Sequence, residues 1–206
     1  MSLVLPIIVA YVIGSIPFGY LIVRATQGAD VRETGSGGIG ATNVSRRAGK
    51  LAGVLPLLLD AVKGATAIVL ANVLLGVPVF DKNATWWIGV AGIAALIGHI
   101  FPVWLGFRGG KGVATGVGVF VMLAPTALGF AAIIFTVTVL LTRYVSLGSI
   151  LAAIGIPIVI LTRNYFSPQP NFPPLLFAAT VGAALIVFAH RENIGRLIQG
   201  TERKFK

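Results

Sequence analysis

Apolar runs long enough to cross a bilayer alternate in this chain with short stretches rich in glycine, proline and charge. Leu3 to Val23 is the first run, sufficient for roughly 30 Å of hydrocarbon at about 1.5 Å per residue, with bends expected at Pro6 and Pro17. A second span is expected from Pro56, a good first-turn residue, to Leu75, which puts Asp60 and Lys63 in its first two turns at i,i+3. A short loop from Gly76 to Ala84 leads to a third span, Thr85 to Leu105. Trp86 and Trp87 lie near one end of that span and Trp104 near the other, about 26 Å apart by helical rise, as two aromatic belts would be. Val113 to Ala124 is too short to cross alone, and Pro125 separates it from Thr126 to Thr142. Ser146 to Leu161 and Pro174 to Ala189 are further spans on either side of a proline-rich loop, Asn164 to Pro173. The tail His190 to Lys206 reads as a short amphipathic interfacial segment.

Composition turns this pattern into a fold class. The 206 residues are 56% hydrophobic and only 11% charged, and the mean hydropathy is +0.94. That balance predicts a single all-α domain, a polytopic transmembrane helical bundle. The net charge of +10 would suggest nucleic acid on a soluble protein. Here the cations flank apolar runs, so anionic lipid heads are the expected partners and nucleic acid is not. There is no cysteine, hence no disulfide framework and no thiolate metal site. The N-terminal run has no basic n-region and exceeds a signal-peptide core, which makes it a permanent span.

The Lys and Arg distribution decides the number of crossings. If Val113 to Thr142 is a hairpin there are about seven spans. One side then carries Arg24, Arg32, Arg46, Arg47, Lys50, Arg108, Lys111, Arg143, Arg191, Arg196, Arg203, Lys204 and Lys206, and the other only Lys82 and Arg163. One crossing in place of the hairpin destroys this asymmetry. The positive-inside effect therefore puts the N-terminus outside and the C-terminus in the cytoplasm, with the short fourth span in a thinned or distorted region. The same topology gathers the polar clusters on the cytoplasmic face.

Two of those clusters are glycine loops. Thr34 to Arg47, TGSGGIGATNVSRR, has Gly35, Gly37, Gly38 and Gly40 within six positions, so successive N–H groups can converge on an anion. Ser36, Thr42 and Asn43 add neutral hydrogen-bonding groups, and Arg46 and Arg47 add fixed charge. A plain loop joining two helices is the competing reading. The second cluster is GFRGGKG, Gly106 to Gly112. Neither loop is a familiar nucleotide motif. Gly35-x-Gly37-x-x-Gly40 follows a membrane helix where a dinucleotide fold needs a strand, and in GFRGGKG the Walker positions are filled by Leu105 and Gly112. Lys111 still serves as a point charge for phosphate. Five residues beyond His99 and His190 stand Trp104 and Gly195, so the HxxxxD acyltransferase pattern is absent. With two histidines and few acids, no metal is expected.

In these residues the chain resembles the bacterial acyl-phosphate:glycerol-3-phosphate acyltransferases, small membrane enzymes of phospholipid synthesis, over nearly its whole length. The family's three motifs appear in order as GSGGIGATNVSR (Gly35 to Arg46), GHIFPVWLGFRGGKGVAT (Gly98 to Thr115) and HRENIGRLIQGTE (His190 to Glu202). Gly38 stands where the family usually has Asn. The resemblance implies transfer of a fatty acyl group from acyl phosphate to the 1-hydroxyl of glycerol 3-phosphate, giving lysophosphatidic acid and inorganic phosphate without coenzyme A, acyl carrier protein or a cofactor. It implies a bacterial inner-membrane enzyme with its site facing the cytoplasm. Matched residue by residue, it assigns glycerol 3-phosphate to Ser36, Arg46 and Lys111, with Ser149 a weaker candidate. It assigns the acyl phosphate and its developing oxyanion to the backbone from Gly37 to Thr42 and to Asn193.

Several residues keep two readings. Asp60 and Lys63 form either a structural ion pair or a support for Arg46. His99 is read as a structural residue shaping the loop of Gly109, Gly110 and Gly112, ahead of a catalytic role, and Glu202 as an ion-pair partner of a nearby cation. Arg191, Arg196, Arg203, Lys204 and Lys206 are read as lipid-facing charges. His190 either takes the proton of the attacking hydroxyl or, with Asn193, positions a donor whose own phosphate takes it. A transporter for an anionic solute is the rival function; it would favour internal repeats and midplane polar residues, neither of which is evident. A non-catalytic scaffold leaves three polar loops unexplained.

The charge distribution makes the orientation testable. A cysteine at Lys82 is expected to react with an impermeant thiol reagent on intact cells, and one at Lys204 only after permeabilisation; the reverse pattern inverts the topology.

Overall fold

The computed structural model describes residues 3–78 and 86–205. Lys82, Lys206, Thr85 and most of the expected 76–84 loop lie outside them. Among the described residues the chain is helical throughout, with no strand. Six segments are long and apolar enough to span a membrane: Leu5–Gln27, Leu51–Leu75, Trp86–Leu105, Pro125–Thr142, Val145–Phe166 and Phe172–Ala189. Between the third and fourth lies the shorter apolar helix Val113–Leu123.

The first segment is two helices, α1 (Leu5–Gly14) and α2 (Phe18–Gln27). Pro17 breaks it, whereas Pro6, expected as a bend, sits in the first turn of α1, where its missing N–H costs nothing. Half of the first glycine loop is also a helix, α3 (Ala41–Ala48). Gly49, at φ 91°, ends α3 and begins α4 (Lys50–Leu75). The second span therefore starts six residues before Pro56, and that proline is inside the helix. Asp60 and Lys63 consequently lie near its middle, not in its first two turns. α3 folds flat onto α4, so closely that a Cβ on Gly53 would strike Ser45 and the Ala41 carbonyl.

α5 (Trp86–Ile100) is followed by the second glycine loop, α6 (Val113–Leu123) and α7 (Pro125–Thr142), with only Ala124 between the last two. α6 has 11 residues, about 16 Å of rise. α8 (Val145–Phe166), α9 (Phe172–Ala189) and α10 (Arg191–Ile198) complete the chain. Close packing in an apolar solvent relies on small residues at the contact. α1 meets α5 at Gly14, where a Cβ would collide with the Ala95 carbonyl, and α4 meets α6 at Gly118, where a Cβ would collide with that of Ala61. α7 packs mainly on α8 and leaves most of its surface to lipid.

Within this apolar frame is a buried ion pair. Lys63 Nζ lies 2.8 Å from Asp60 Oδ1, both side chains being 2% exposed, and it also donates to the Ile16 carbonyl at 2.7 Å. That carbonyl belongs to the broken turn between α1 and α2, where helical bonding has been interrupted. Asp60 also faces His99 Nδ1 at 3.6 Å, and Thr115 Oγ1 meets the same nitrogen at 3.1 Å. Of the two readings of Asp60 and Lys63, the geometry supports the structural one: they tie α1, α4, α5 and α6 together. Removing one partner of a buried pair typically costs about 3–5 kcal/mol. Asp60→Asn is therefore expected to lower the melting temperature in detergent markedly, while Asp60→Leu combined with Lys63→Met recovers most of the loss.

Candidate functional site

The first glycine loop is held from beneath by apolar packing and from within by one amide. Val23 of α2, Val31, Ile39 and Val44 form a small core of their own, and a Cβ on Gly19 would collide with the Ile39 carbonyl. Asn43, 2% exposed, shares its two amide hydrogens among the carbonyls of Val31 (2.9 Å), Thr34 (3.1 Å) and Gly38 (2.8 Å). Its Oδ1 accepts from the Ser36 N–H at 3.0 Å. Asn43, expected as one of the loop's hydrogen-bonding groups for substrate, is thus occupied in holding the loop. The N–H groups from Gly38 to Thr42 are left without an acceptor among the described residues. Two of them open α3, where the helix dipole adds to their attraction for an anion.

The second loop lies flat on His99. Gly109 N–H donates to the Ile100 carbonyl at 3.1 Å and Gly110 N–H to that of His99 at 3.0 Å. Any side chain on Gly110 would run into the His99 ring. This matches the shaping role expected of His99 and explains the small residues at 109 and 110. Gly112, at φ 79°, turns the chain into α6. The two loops approach each other at Gly38, where an added Cβ would stand 3.7 Å from the Gly109 carbonyl, an ordinary contact. A Cβ at position 38 meets no clash.

Lys111 leaves this loop toward the tail. Its Nζ donates to Asn193 Oδ1, and Asn193 Nδ2 donates to Glu202 Oε1 at 2.6 Å. Glu202 also accepts from Ser146 Oγ at 2.8 Å and from Arg196 Nε at 2.7 Å. Burial works against its carboxylate, yet the bonds from Arg196, Asn193 and Ser146 outweigh it and hold Glu202 below the usual carboxylate range. Burial also pushes Lys111 down to about 8, against the Glu202 charge that raises it and with Arg196 and Arg46 adding to the fall. His190 is 2% exposed and its Nδ1 lies 2.7 Å from the Ile186 carbonyl. A carbonyl only accepts, so the proton is on Nδ1 and Nε2 is bare. Burial lowers His190 to about 4, with the Lys111 charge adding to it against the Ile186 bond.

Between the first loop and the tail is a cavity of about 90 Å³ lined by Gly35, Ser36, Arg46, Arg196, Glu202 and Arg203. Three guanidinium groups and one carboxylate give it a net positive wall. Burial, and then the Arg203 charge, lowers the Arg46 guanidinium below its ordinary value.

The sequence model of the family described as glycerol-3-phosphate acyltransferase matches residues 4–200. A glycerol-3-phosphate acyltransferase of Desulforamulus reducens is 45% identical over 201 residues, covering 98% of this chain and 94% of that protein. Its counterpart in Syntrophotalea carbinolica is 45% identical over 206 residues, 100% of this chain and 98% of that protein. A crystal structure of PlsY (YgiH), an integral membrane glycerol 3-phosphate acyltransferase in its glycerol 3-phosphate form, superposes with a TM-score of 0.86 at 40% identity, covering 100% of this chain and 96% of that one. Its lysophosphatidic acid form gives 0.83 at 38% identity over the same shares. This chain belongs to the glycerol-3-phosphate acyltransferase family. It is an integral membrane acyltransferase of the PlsY type, and the transporter and scaffold readings are set aside.

Within this acyltransferase, Ser36, Arg46, Lys111, Asn193 and Glu202 converge, and the backbone of Gly37, Gly38, Gly40 and Thr42 borders them. Ser149 does not join them, because its hydroxyl turns back to the Val145 carbonyl at 2.9 Å. The serine that reaches the cluster is Ser146, one turn earlier. Arg196 and Arg203, read from sequence as lipid-facing, instead line the cavity. Arg196 could have been found from its place six residues before Glu202 in the third motif; for Arg203 the sequence offers no such signal.

Asn43→Ala leaves several buried loop groups unmet, at about 1–3 kcal/mol each. It is expected to lower stability by roughly 3 kcal/mol and to abolish acyl transfer. Thr42→Ala, whose hydroxyl is not used this way, stays within about 0.5 kcal/mol of the parent in thermal unfolding.

Proposed function

We propose that this chain transfers a fatty acyl group from acyl phosphate to the 1-hydroxyl of glycerol 3-phosphate, releasing lysophosphatidic acid and inorganic phosphate. The observation that carries the reading is that a guanidinium-lined cavity beside Ser36 lies next to a run of N–H groups, Gly38 to Thr42, with no acceptor among the described residues. Two phosphate-bearing substrates account for both. Ser36, Arg46 and Lys111 hold glycerol 3-phosphate, with Arg196 and Glu202 fixing the wall around it. The N–H row and Asn193 hold the acyl phosphate, and their donors face the carbonyl oxygen as it gains charge.

The hydroxyl oxygen bonds to the acyl carbon, the acyl carbon to phosphate-oxygen bond breaks, and the hydroxyl proton leaves on the departing phosphate. Neutral His190, proton on Nδ1 and lowered to about 4, is a poor base at neutral pH, and the available carboxylate, Glu202, orients Asn193 and not His190. These two features favour the donor's own phosphate as proton acceptor, with His190 positioning it.

The bundle is taken to cross seven times, α6 being a short fourth crossing, with the N-terminus outside and the site on the cytoplasmic face of the bacterial inner membrane. The direct test of the donor is purified protein with glycerol 3-phosphate and, in parallel, acyl phosphate, acyl-CoA or acyl carrier protein thioester. Product from thioesters alone overturns the assignment.

The pH profile separates the roles. Lys111 is a cation below about 8 and loses its charge as pH rises through that value. kcat/KM for glycerol 3-phosphate is therefore expected to fall above pH 8, and Lys111→Arg to move that limb beyond pH 10 at reduced kcat/KM.

An acid limb near pH 6 belongs to the substrate phosphate, which loses its second charge there. His190→Asn is expected to keep this limb and far more kcat than His190→Ala. A general base would contribute roughly 10²–10⁴-fold, so equal collapse of both variants would restore His190 as base.

A further inference from the structure

At the end of the bundle opposite the acyltransferase site, the shortness of α6 leaves space unfilled. α6 stops at Leu123 and the chain turns at Ala124 into α7, while α8 continues to Phe166 and α9 begins only at Phe172. Between the α6–α7 turn and these two helix ends is a cavity of about 470 Å³. Its inner wall is apolar, formed by residues such as Leu123, Ala127, Ile160, Phe172 and Leu175. Its rim is polar and carries one cation, Arg163, beside Asn164, Gln169 and Asn171.

Arg163 has no carboxylate partner among the described residues. Its Nη1 reaches only Thr126 Oγ1, at 3.4 Å. It lies about 27 Å along α8 from Val145, the depth at which lipid phosphates meet the hydrocarbon. Tyr165 and Phe166, 81% and 78% exposed, flank it as interfacial aromatics do. Apolar cavity walls take an apolar occupant in preference to water, and a guanidinium at the mouth with no carboxylate partner among the described residues takes an anion. A phosphodiester with acyl chains satisfies both at once.

We propose that this cavity binds one molecule of anionic membrane phospholipid, an acyl chain inside and the headgroup phosphate on Arg163. The site is separate from the catalytic cluster and completes the packing that the eleven-residue α6 leaves open.

The test uses purified, delipidated full-length protein in detergent, titrated with phosphatidylglycerol, phosphatidylethanolamine or sodium phosphate. Native mass spectrometry reads retention and thermal unfolding reads stabilisation. Phosphatidylglycerol is expected to be retained one per chain and to raise the melting temperature by about 5 °C or more. Arg163→Gln should weaken retention at least tenfold, and Ala127→Leu, which projects into the cavity, should abolish it; both should keep wild-type acyl transfer. Equal retention by wild type and Arg163→Gln overturns the proposal. So does equal stabilisation by sodium phosphate, which would mean a free-anion site. A changed donor chain-length preference in Ala127→Leu also overturns it, because the cavity would then hold the substrate's chain end.

Discussion

The Asp60–Lys63–His99 cluster is what the remainder of the structure leans on. Hydrocarbon tolerates neither a lone charge nor an unsatisfied carbonyl. A carboxylate, an ammonium group and an imidazole are nonetheless buried near the middle of the bundle, where they answer one another and the broken turn at Ile16. The His99 ring then forms the bed on which the second glycine loop lies. The ion pair thus sets the height and tilt of the loop that presents Lys111, although it touches no substrate.

Glu202 performs the corresponding task at the surface. It receives bonds from Ser146 of α8 and from Asn193 and Arg196 of α10, which brings the tail over the two glycine loops. The surplus of guanidinium groups around it leaves the site cationic after Glu202 has been neutralised. That is the electrostatic state that favours an anionic ligand.

The helical bundle and its polar face were legible because hydropathy and Lys/Arg placement follow directly from the solvent. The two glycine loops were legible as special backbone because so many glycines together imply positive φ or close approach, and Gly35, Gly37 and Gly112 take positive φ while Gly109 and Gly110 lie against His99. What escaped were distinctions settled by packing. A run that reads as loop, Ala41 to Ala48, became a helix because Val44 and Ile39 had a core to enter. Pro56 looked like a start but lies in the middle, since Gly49 already supplied the turn. Ser146 and Ser149 share a face of α8, and only their distances tell which one meets Glu202. Asn43 invited a ligand role because an amide in a glycine loop serves either substrate or loop, and composition alone does not discriminate.

The Gly49 junction also limits how this enzyme can move. α3 is joined to α4 through one residue and pressed flat along it, so the loop ahead of α3 cannot swing out without levering a membrane-spanning helix through lipid. What is left free to move around the cavity is side chains, the arginines that line it among them. Rotamer changes of exposed side chains take picoseconds to nanoseconds, whereas lid motions take microseconds or longer. An active site of this construction trades the protection of a closing lid for a frame already set when the substrates arrive, with the bilayer itself excluding water from the acyl chain.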